Sequence, residues 1–284
     1  MSEKTLTFGD NRVLPAIGQG TWYMGEKANQ RRQESDALRA GIERGLTLID
    51  TAEMYAEGGA EEVVGEAIKG QRDKVFLVSK VYPWNAGGQK GIAACEASLR
   101  RLGTDRIDLY LLHWRGNYPL EETVRLMETL QQQGKISRWG VSNLDYADMH
   151  ELWQTPGGQA CATNQVLYHL ASRGIEYDLL PWCQQQNMPV MAYCPLAQAG
   201  RLRTGLMNHP VVNAIAREYN ATAAQVLLAW VIRHRGVIAI PKASSIAHVE
   251  ENAGALEISL SAEALQQLDA AFPAPQQKTP LDVV

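Results

Sequence analysis

The sequence predicts an α/β protein, a (β/α)8 TIM barrel with an N-terminal β-hairpin and an irregular C-terminal tail. Short apolar runs rich in β-branched residues alternate with amphipathic stretches of about 10 to 15 residues. Eight such runs occur, the number that closes a barrel, and no low-complexity linker divides residues 1–284, which therefore read as one domain. Length alone decides nothing: about 150 residues per domain suggests two domains, yet α/β barrels commonly run to about 250 residues as one unit. A doubly wound open sheet is the alternative architecture.

The elements follow in chain order. Thr5 to Phe8 and Arg12 to Leu14 flank Gly9-Asp10-Asn11, a hairpin placed to plug the barrel's lower mouth. The first barrel strand is expected at Ala16 to Gly20 with a helix at Arg31 to Arg44, then Thr47 to Asp50 with Ala60 to Ile68, and Val75 to Lys80 with Gln89 to Leu102. Ile107 to His113 precedes Leu120 to Gln133, Trp139 to Ser142 precedes Asp145 to Trp153, and Ala162 to Gln165 precedes Glu176 to Gln186. Val190 to Tyr193 is followed by helices at Val211 to Tyr219 and Thr222 to His234, and Val237 to Ile240 by Ile246 to Ala255. Gly45, Gly70, Gly103, Gly134 and Gly236 fall where helix ends are expected. Phe272 to Val284 holds three prolines and little periodicity, and reads as a strap.

Composition excludes several function classes. The chain is mildly acidic, with a formal net charge of −4, and carries no basic stripe or arginine-rich arm, so nucleic acid is not an expected partner. MSEKTLTFGD lacks the apolar core of a signal peptide, and no window reaches the ~18 apolar residues of a membrane span. A cytoplasmic protein with no membrane contact is expected. Cys95, Cys161, Cys183 and Cys194 show no CxxC spacing and read as free thiols. Asn220-Ala221-Thr222 reads as a helix start capped by Thr222.

In a barrel, functional side chains sit at the C-terminal ends of strands. The second, third and fourth strands end in Asp50, Lys80 and His113, and Tyr55 follows in the loop above Asp50. Adjacent strands lie ~4.8 Å apart, so these groups can share one small volume. A single charged strand end is ordinary, and an Asp-Lys pair can be purely structural; three in register with a tyrosine point to catalysis. A tyrosine beside a lysine is a tunable acid: Lys80 is expected to lower the phenol pKa from ~10, while Asp50 keeps the lysine charged and positioned. His113, neutral beside a lysine, can donate a hydrogen bond to a substrate oxygen. The set suits protonation of an alkoxide that forms as a carbonyl receives hydride. No metal is expected, since there is no HxH pair, His150-Glu151 lacks a second histidine, and Lys80 repels a cation. No G-x-S-x-G occurs for a serine hydrolase, and a lysine held charged by Asp50 makes a poor Schiff-base nucleophile.

Gly20-Thr21-Trp22, Leu48-Ile49-Asp50-Thr51-Ala52 with Tyr55 and Gly65, the Lys80 strand, and Asp108 to Trp114 resemble the aldo-keto reductases. So do Gly140-Val141-Ser142-Asn143, Asn164-Gln165, and Ile240-Pro241-Lys242 with Glu251-Asn252, in the same order over nearly the whole chain. The resemblance implies an (α/β)8 barrel with a catalytic tetrad of Asp50, Tyr55, Lys80 and His113, Tyr55 being the general acid. It implies NADP(H) extended across the C-terminal face, with Ser142, Asn143 and Gln165 on the carboxamide and Tyr193 stacked on the nicotinamide. Gly20, Thr21, Trp22, Asp50, Leu196, Lys242, Ser244, Glu251 and Asn252 are the further cofactor positions it implies. Gly18-Gln19-Gly20 is followed by Tyr23 where a Rossmann fingerprint needs glycine, so a nicotinamide here must be bound some other way.

Two positions depart from the family's pattern. Cys194 stands where serine is usual, a weaker donor, and His248 stands where arginine commonly grips the 2′-phosphate. Histidine, with an unperturbed pKa of about 6.5, is only partly charged at neutral pH, so NAD(H) use beside NADP(H) is expected. Trp22, Trp84 and Trp114 follow the first, third and fourth strands and are expected, with Tyr55 and His113, to bound the substrate pocket. The short loop after His113 favours small aldehydes, including 2-oxoaldehydes such as methylglyoxal, over bulky carbonyls. A monomer is expected. An NADPH-binding regulatory subunit on the same barrel is the alternative.

Overall fold

The computed structural model describes residues 4–284. Two residues from each arm of the N-terminal hairpin pair antiparallel, β1 (Thr5–Leu6) with β2 (Leu14–Pro15), in the register Thr5 to Pro15 and Leu6 to Leu14. The barrel then alternates strand and helix: β3 (Gln19–Gly20), α1 (Arg31–Glu43), β4 (Leu48–Asp50), α2 (Gly59–Ile68), β5 (Phe76–Val81), α3 (Gly88–Leu102), β6 (Ile107–Leu112) and α4 (Leu120–Gln132). It continues through β7 (Ile136–Ser142), α5 (Tyr146–Gln154), β8 (Asn164–Leu167), α6 (Leu179–Gln185), β9 (Val190–Tyr193), α7 (Arg201–Met207), α8 (Pro210–Glu218), α9 (Ala223–Val231) and β10 (Val237–Ala239). Helices α10 (Ile246–Gly254) and α11 (Ala262–Ala271) complete the elements.

The eight strands β3 to β10 are hydrogen-bonded in sequence order, every pair parallel. The two edges meet: Ile17 bridges Ala239 and Gly20 bridges Lys242, both in parallel, with Gly18 N donating to Ala239 O at 2.8 Å and Ala239 N to Ala16 O at 2.9 Å. The sheet is closed, and the open-sheet alternative is excluded. The seam is narrow because β3 pairs regularly only over Gln19–Gly20, shorter than the Ala16 to Gly20 the sequence predicts.

The strands are buried on both faces because helices cover the outside and side chains fill the inside. Every residue of β5 and of β6 is buried. Alternation sends Phe76, Val78 and Lys80 inward and Leu77, Ser79 and Val81 toward the helices. Phe76 meets Phe8 of the hairpin at 5.2 Å between ring centroids, so the hairpin closes the lower mouth. The five glycines expected at helix ends all have positive φ, and Thr222 caps α9 through a capping box with Gln225. The sequence reading omitted α7 and α11. Residues 272–284 form no helix or strand, and Lys278 ties them down through Asp145 at 2.6 Å and Asp178 at 3.0 Å. Among the described residues, no helix is long and apolar enough to cross a membrane.

Candidate active site

Three adjacent strands deliver their end groups to one point. Asp50 closes β4, Lys80 is the inward residue near the end of β5, and His113 follows β6, its backbone N–H extending the ladder to Val81 O at 3.0 Å. Lys80 Nζ donates to Asp50 Oδ2 at 2.8 Å, to Thr51 O at 2.9 Å and to the Tyr55 hydroxyl at 2.9 Å, which uses all three of its protons. The second oxygen of Asp50 accepts from Gln165 Nε2 at 2.8 Å, across the barrel from β8. The His113 ring meets the edge of the Tyr55 ring at 5.8 Å, and Trp22 stacks on Tyr55 at 6.3 Å. All four residues proposed from strand-end chemistry therefore converge.

Tyr55 sits in a tight turn with an unusual backbone. Ala56, Glu57 and Gly58 have φ of 51°, 52° and 92°, three left-handed residues in succession. Only the last is a glycine, so the first two are strained at a cost of order 1 kcal/mol or more each. Of the remaining non-glycine residues with positive φ, Tyr23, Asn143, Cys194 and Ala197 all line the cavity above the tetrad. Backbone strain gathers on this rim, as it does at ligand sites generally.

The electrostatics follow from burial. Lys80 is fully buried and Asp50 nearly so. Desolvation raises the Asp50 carboxyl and lowers the Lys80 ammonium, while their mutual attraction opposes both shifts. Burial, followed by the Lys80 charge, pushes His113 down to about 2, so its imidazole is neutral as the sequence implied, and its Nδ1 is buried without a partner. Tyr55 corrects an expectation: its pKa is raised well above 10, first by burial, then by Asp50, Cys194 and Tyr193. Desolvation of the phenolate dominates, and the Asp50 charge adds to it. Tyr55 holds its proton firmly until something above it needs one.

A cavity of about 230 Å³ opens over the tetrad. Its lining includes Gly20, Thr21, Trp22, Asp50, Tyr55, His113 and Trp114, with Lys242 beside Gly20 at the seam, and on the opposite wall Ser142, Asn143, Gln165, Tyr193, Cys194 and Leu196. That wall is tied together: Tyr193 OH donates to Asn143 Oδ1 at 2.8 Å, Asn143 Nδ2 to His113 O at 3.1 Å, and Ser142 Oγ to Gln165 O at 2.8 Å. Ser244, His248, Glu251 and Asn252 lie outside this lining, on the segment after β10 and on α10. Ser244 Oγ is buried without a partner, His248 is exposed and Asn252 is buried. Trp84 does not line the cavity: it is 53% exposed, stacked on Tyr82 at 4.3 Å and edge-on to Trp114 at 5.6 Å. Its loop turns it onto the rim, and Trp114 stands between it and the tetrad. Arg203, which sequence reasoning sets aside as part of a solvated charged face, and Val284, which it does not single out, are both in the lining. Arg203 sits on α7, whose RLRTGLM has no amphipathic period, and Val284 arrives along a tail with no secondary structure, so neither carried a local signal.

A closed parallel barrel with an Asp-Tyr-Lys-His cluster at the C-terminal ends of its strands defines an oxidoreductase-type carbonyl site. The family model described as "Aldo/keto reductase family" matches residues 16–272, and the chain belongs to that family. It is 72% identical over 284 residues to methylglyoxal reductase YeaE of Escherichia coli (strain K12), covering 100% of both chains. It is 34% identical over 260 residues to a glyoxal reductase of Bacillus subtilis (strain 168), covering 90% of this chain and 88% of that one. A crystal structure of an aldo-keto reductase from Klebsiella pneumoniae in complex with NADPH superposes with a TM-score of 0.98 at 67% identity, covering 100% of each chain.

Proposed function

We propose that this protein reduces small aldehydes and ketones to alcohols with NADPH, and that 2-oxoaldehydes such as methylglyoxal are its substrates. The observation that carries the reading is Lys80 Nζ shared between Asp50 at 2.8 Å and the Tyr55 hydroxyl at 2.9 Å on the floor of an aromatic-walled cavity. The methylglyoxal reductase relative at 72% identity and the NADPH-bound neighbour support it.

The donor set fits a nicotinamide dinucleotide. Asn143 and Ser142 offer a carboxamide-sized pair of polar groups beside the half-buried Tyr193 ring, and Lys242 and Arg203 supply cations on the same cavity for phosphates. When bound, NADPH supplies the hydride. The chain's own residues handle the rest. A substrate carbonyl oxygen set between Tyr55 and His113 meets two neutral donors, which stabilise the negative charge that grows on it. Tyr55 then gives its proton to the alkoxide, and Lys80, pinned by Asp50, Thr51 and Tyr55, stabilises the phenolate that remains. Trp22 and Trp114 exclude water and accommodate a small apolar group. NAD(H) is the second donor the reading allows, because His248 and Ser244, rather than an arginine fork, are available for a 2′-phosphate. A cytoplasmic monomer is part of the proposal; the four unpaired cysteines support a reducing compartment.

The test follows NADPH absorbance with purified protein and methylglyoxal, glyoxal and a panel of small carbonyls, repeated with NADH. Reduction of 2-oxoaldehydes, faster with NADPH, is the expected result. Tight NADPH binding without turnover of any panel member would overturn the reading in favour of a nucleotide-sensing subunit.

A further inference from the structure

Behind the sheet, on the side away from the cavity, lies a second buried polar cluster. Glu61, in the first turn of α2, is 0% exposed. Its Oε1 accepts from Ser79 Oγ at 2.6 Å and its Oε2 from Arg101 Nε at 2.6 Å, and Arg101 also donates to Ser98 Oγ at 3.2 Å. A fully buried carboxylate is costly unless both oxygens are satisfied, and here both are. None of these residues touches the cavity.

The two partners of Glu61 lead to two members of the tetrad. Ser79 immediately precedes Lys80 on β5, so holding its hydroxyl fixes the strand segment from which the lysine projects into the barrel. Arg101, on α3, leads to Tyr55. Its side chain lies flat against Gly58, where a Cβ would stand 2.5 Å from Arg101 Cδ and 2.6 Å from Nε. Gly58 is the last of the three left-handed residues that follow Tyr55, so the guanidinium arm is the surface on which the strained turn rests. The close crossing of α2 and α3 that brings Arg101 within reach depends on Gly65, whose Cβ would lie 2.8 Å from Arg101 O. A strained turn persists only where its surroundings over-determine it.

We infer that Glu61 and Arg101 are positioning residues for carbonyl reduction: the pair braces the Ser79-Lys80 strand against the Ala56-Glu57-Gly58 turn and so fixes the Lys80 to Tyr55 contact. The inference rests on the carbonyl-reductase reading of the site. Neither residue meets substrate or cofactor; both act through the distance between the lysine and the phenol. Misplacing a proton donor by about 1 Å can cost about 100-fold in rate, whereas a nucleotide held by Ser142 and Asn143 does not sense it, and substrate binding, spread over Trp22, Trp114 and His113, senses it far less than the transition state does.

Glu61→Gln keeps the volume and one acceptor for Ser79 while removing the charge that holds Arg101, and Arg101→Gln removes the arm but leaves the buried Glu61 carboxylate without its charged partner, so a lower Tm is expected in that variant and its kinetics are read well below its transition. Steady-state kinetics with methylglyoxal and NADPH are expected to show kcat lower by about 10-fold to 100-fold in each variant, with KM and the NADPH Kd within about twofold of the parent. The double variant is expected to be no worse than the poorer single, because both break the same brace. A second readout needs no turnover: the 13Cζ resonance of Tyr55 in tyrosine-labelled protein, assigned with Tyr55→Phe, is expected to move in both variants. Unchanged kcat with an unmoved Tyr55 resonance overturns the inference. So does a parallel loss of kcat, substrate affinity and cofactor affinity in both variants, which marks a merely structural pair. If the parent protein itself reduces no carbonyl, the proposed function fails and the resonance alone decides the brace.

Discussion

At the lower mouth of the barrel, Asp108 accepts the Leu77 amide at 2.8 Å and Arg72 at 2.9 Å, Arg138 reaches Asp10 of the hairpin at 2.6 Å, and the Arg12 and Arg138 guanidiniums lie over Phe76. At the upper mouth, His113 Nδ1 is buried without a partner, a lysine is sealed from water, and six non-glycine residues near or in the cavity wall are left-handed. Both ends are rich in charge. At the lower end each group is satisfied by protein, and the result is closure. At the upper end, donors and strain are held in reserve for a ligand. The comparison teaches that charge at a strand end is informative only together with what it leaves unsatisfied.

The largest effect that would sharpen this contrast belongs to Tyr55. Tyr55→Phe is expected to lower kcat for methylglyoxal reduction by about 10²-fold to 10⁴-fold, while NADPH binding, measured by tryptophan quenching, is nearly intact. Retained turnover would refute its assignment as the acid. Lys80→Met strands the buried Asp50 charge, so a loss of about 3–5 kcal/mol in urea unfolding is expected in addition to lost activity. A variant as stable as the parent would show that Gln165 alone suffices for the carboxylate. At the other mouth, Asp108→Asn is expected to cost about 1–3 kcal/mol in the same unfolding assay, with kcat unchanged. A changed kcat there would break the division between the two ends.

The most gradual expected effect is a pH slope. Burial holds His113 down to about 2 and His169 down to about 4, against 6.5 for an ordinary histidine. As pH falls below about 6.5 the unfolded chain takes up protons that the folded protein refuses, so stability decreases with acidification. Each histidine contributes up to about 1.4 kcal/mol per pH unit, His169 as far down as its own folded value and His113 further still. Unfolding midpoints between pH 7 and 4.5 should show a shallower slope in His169→Gln than in the parent; equal slopes would place the acid sensitivity elsewhere.

The tetrad was legible because ionisable residues interrupted three apolar strand runs at equivalent places, a pattern that burial makes costly and therefore meaningful. The barrel was legible from alternation and count. What escaped depended on contacts between distant segments. Helix α7 is short, with Gly205 inside it, and α11 buries only Ala264 and Leu268, so neither shows a strong apolar stripe. Trp84 was misplaced because a loop's direction is set by packing, here against Tyr82 and Trp114. The acidity of Tyr55 was misjudged because the sequence shows its neighbours but not its desolvation.

The bond from Gln165 to Asp50 has one more consequence. With Gln165 on one oxygen and Lys80 on the other, Asp50 is an acceptor on both sides and has no proton to lend. Under the proposed assignment, Tyr55 cannot be recharged through the carboxylate after each turnover. Its refill comes from the open side of the cavity, through water admitted as the alcohol leaves. The hydroxyl hydrogen of the product is therefore drawn from bulk solvent in every cycle, whereas the hydrogen on its carbon keeps the label of the hydride donor.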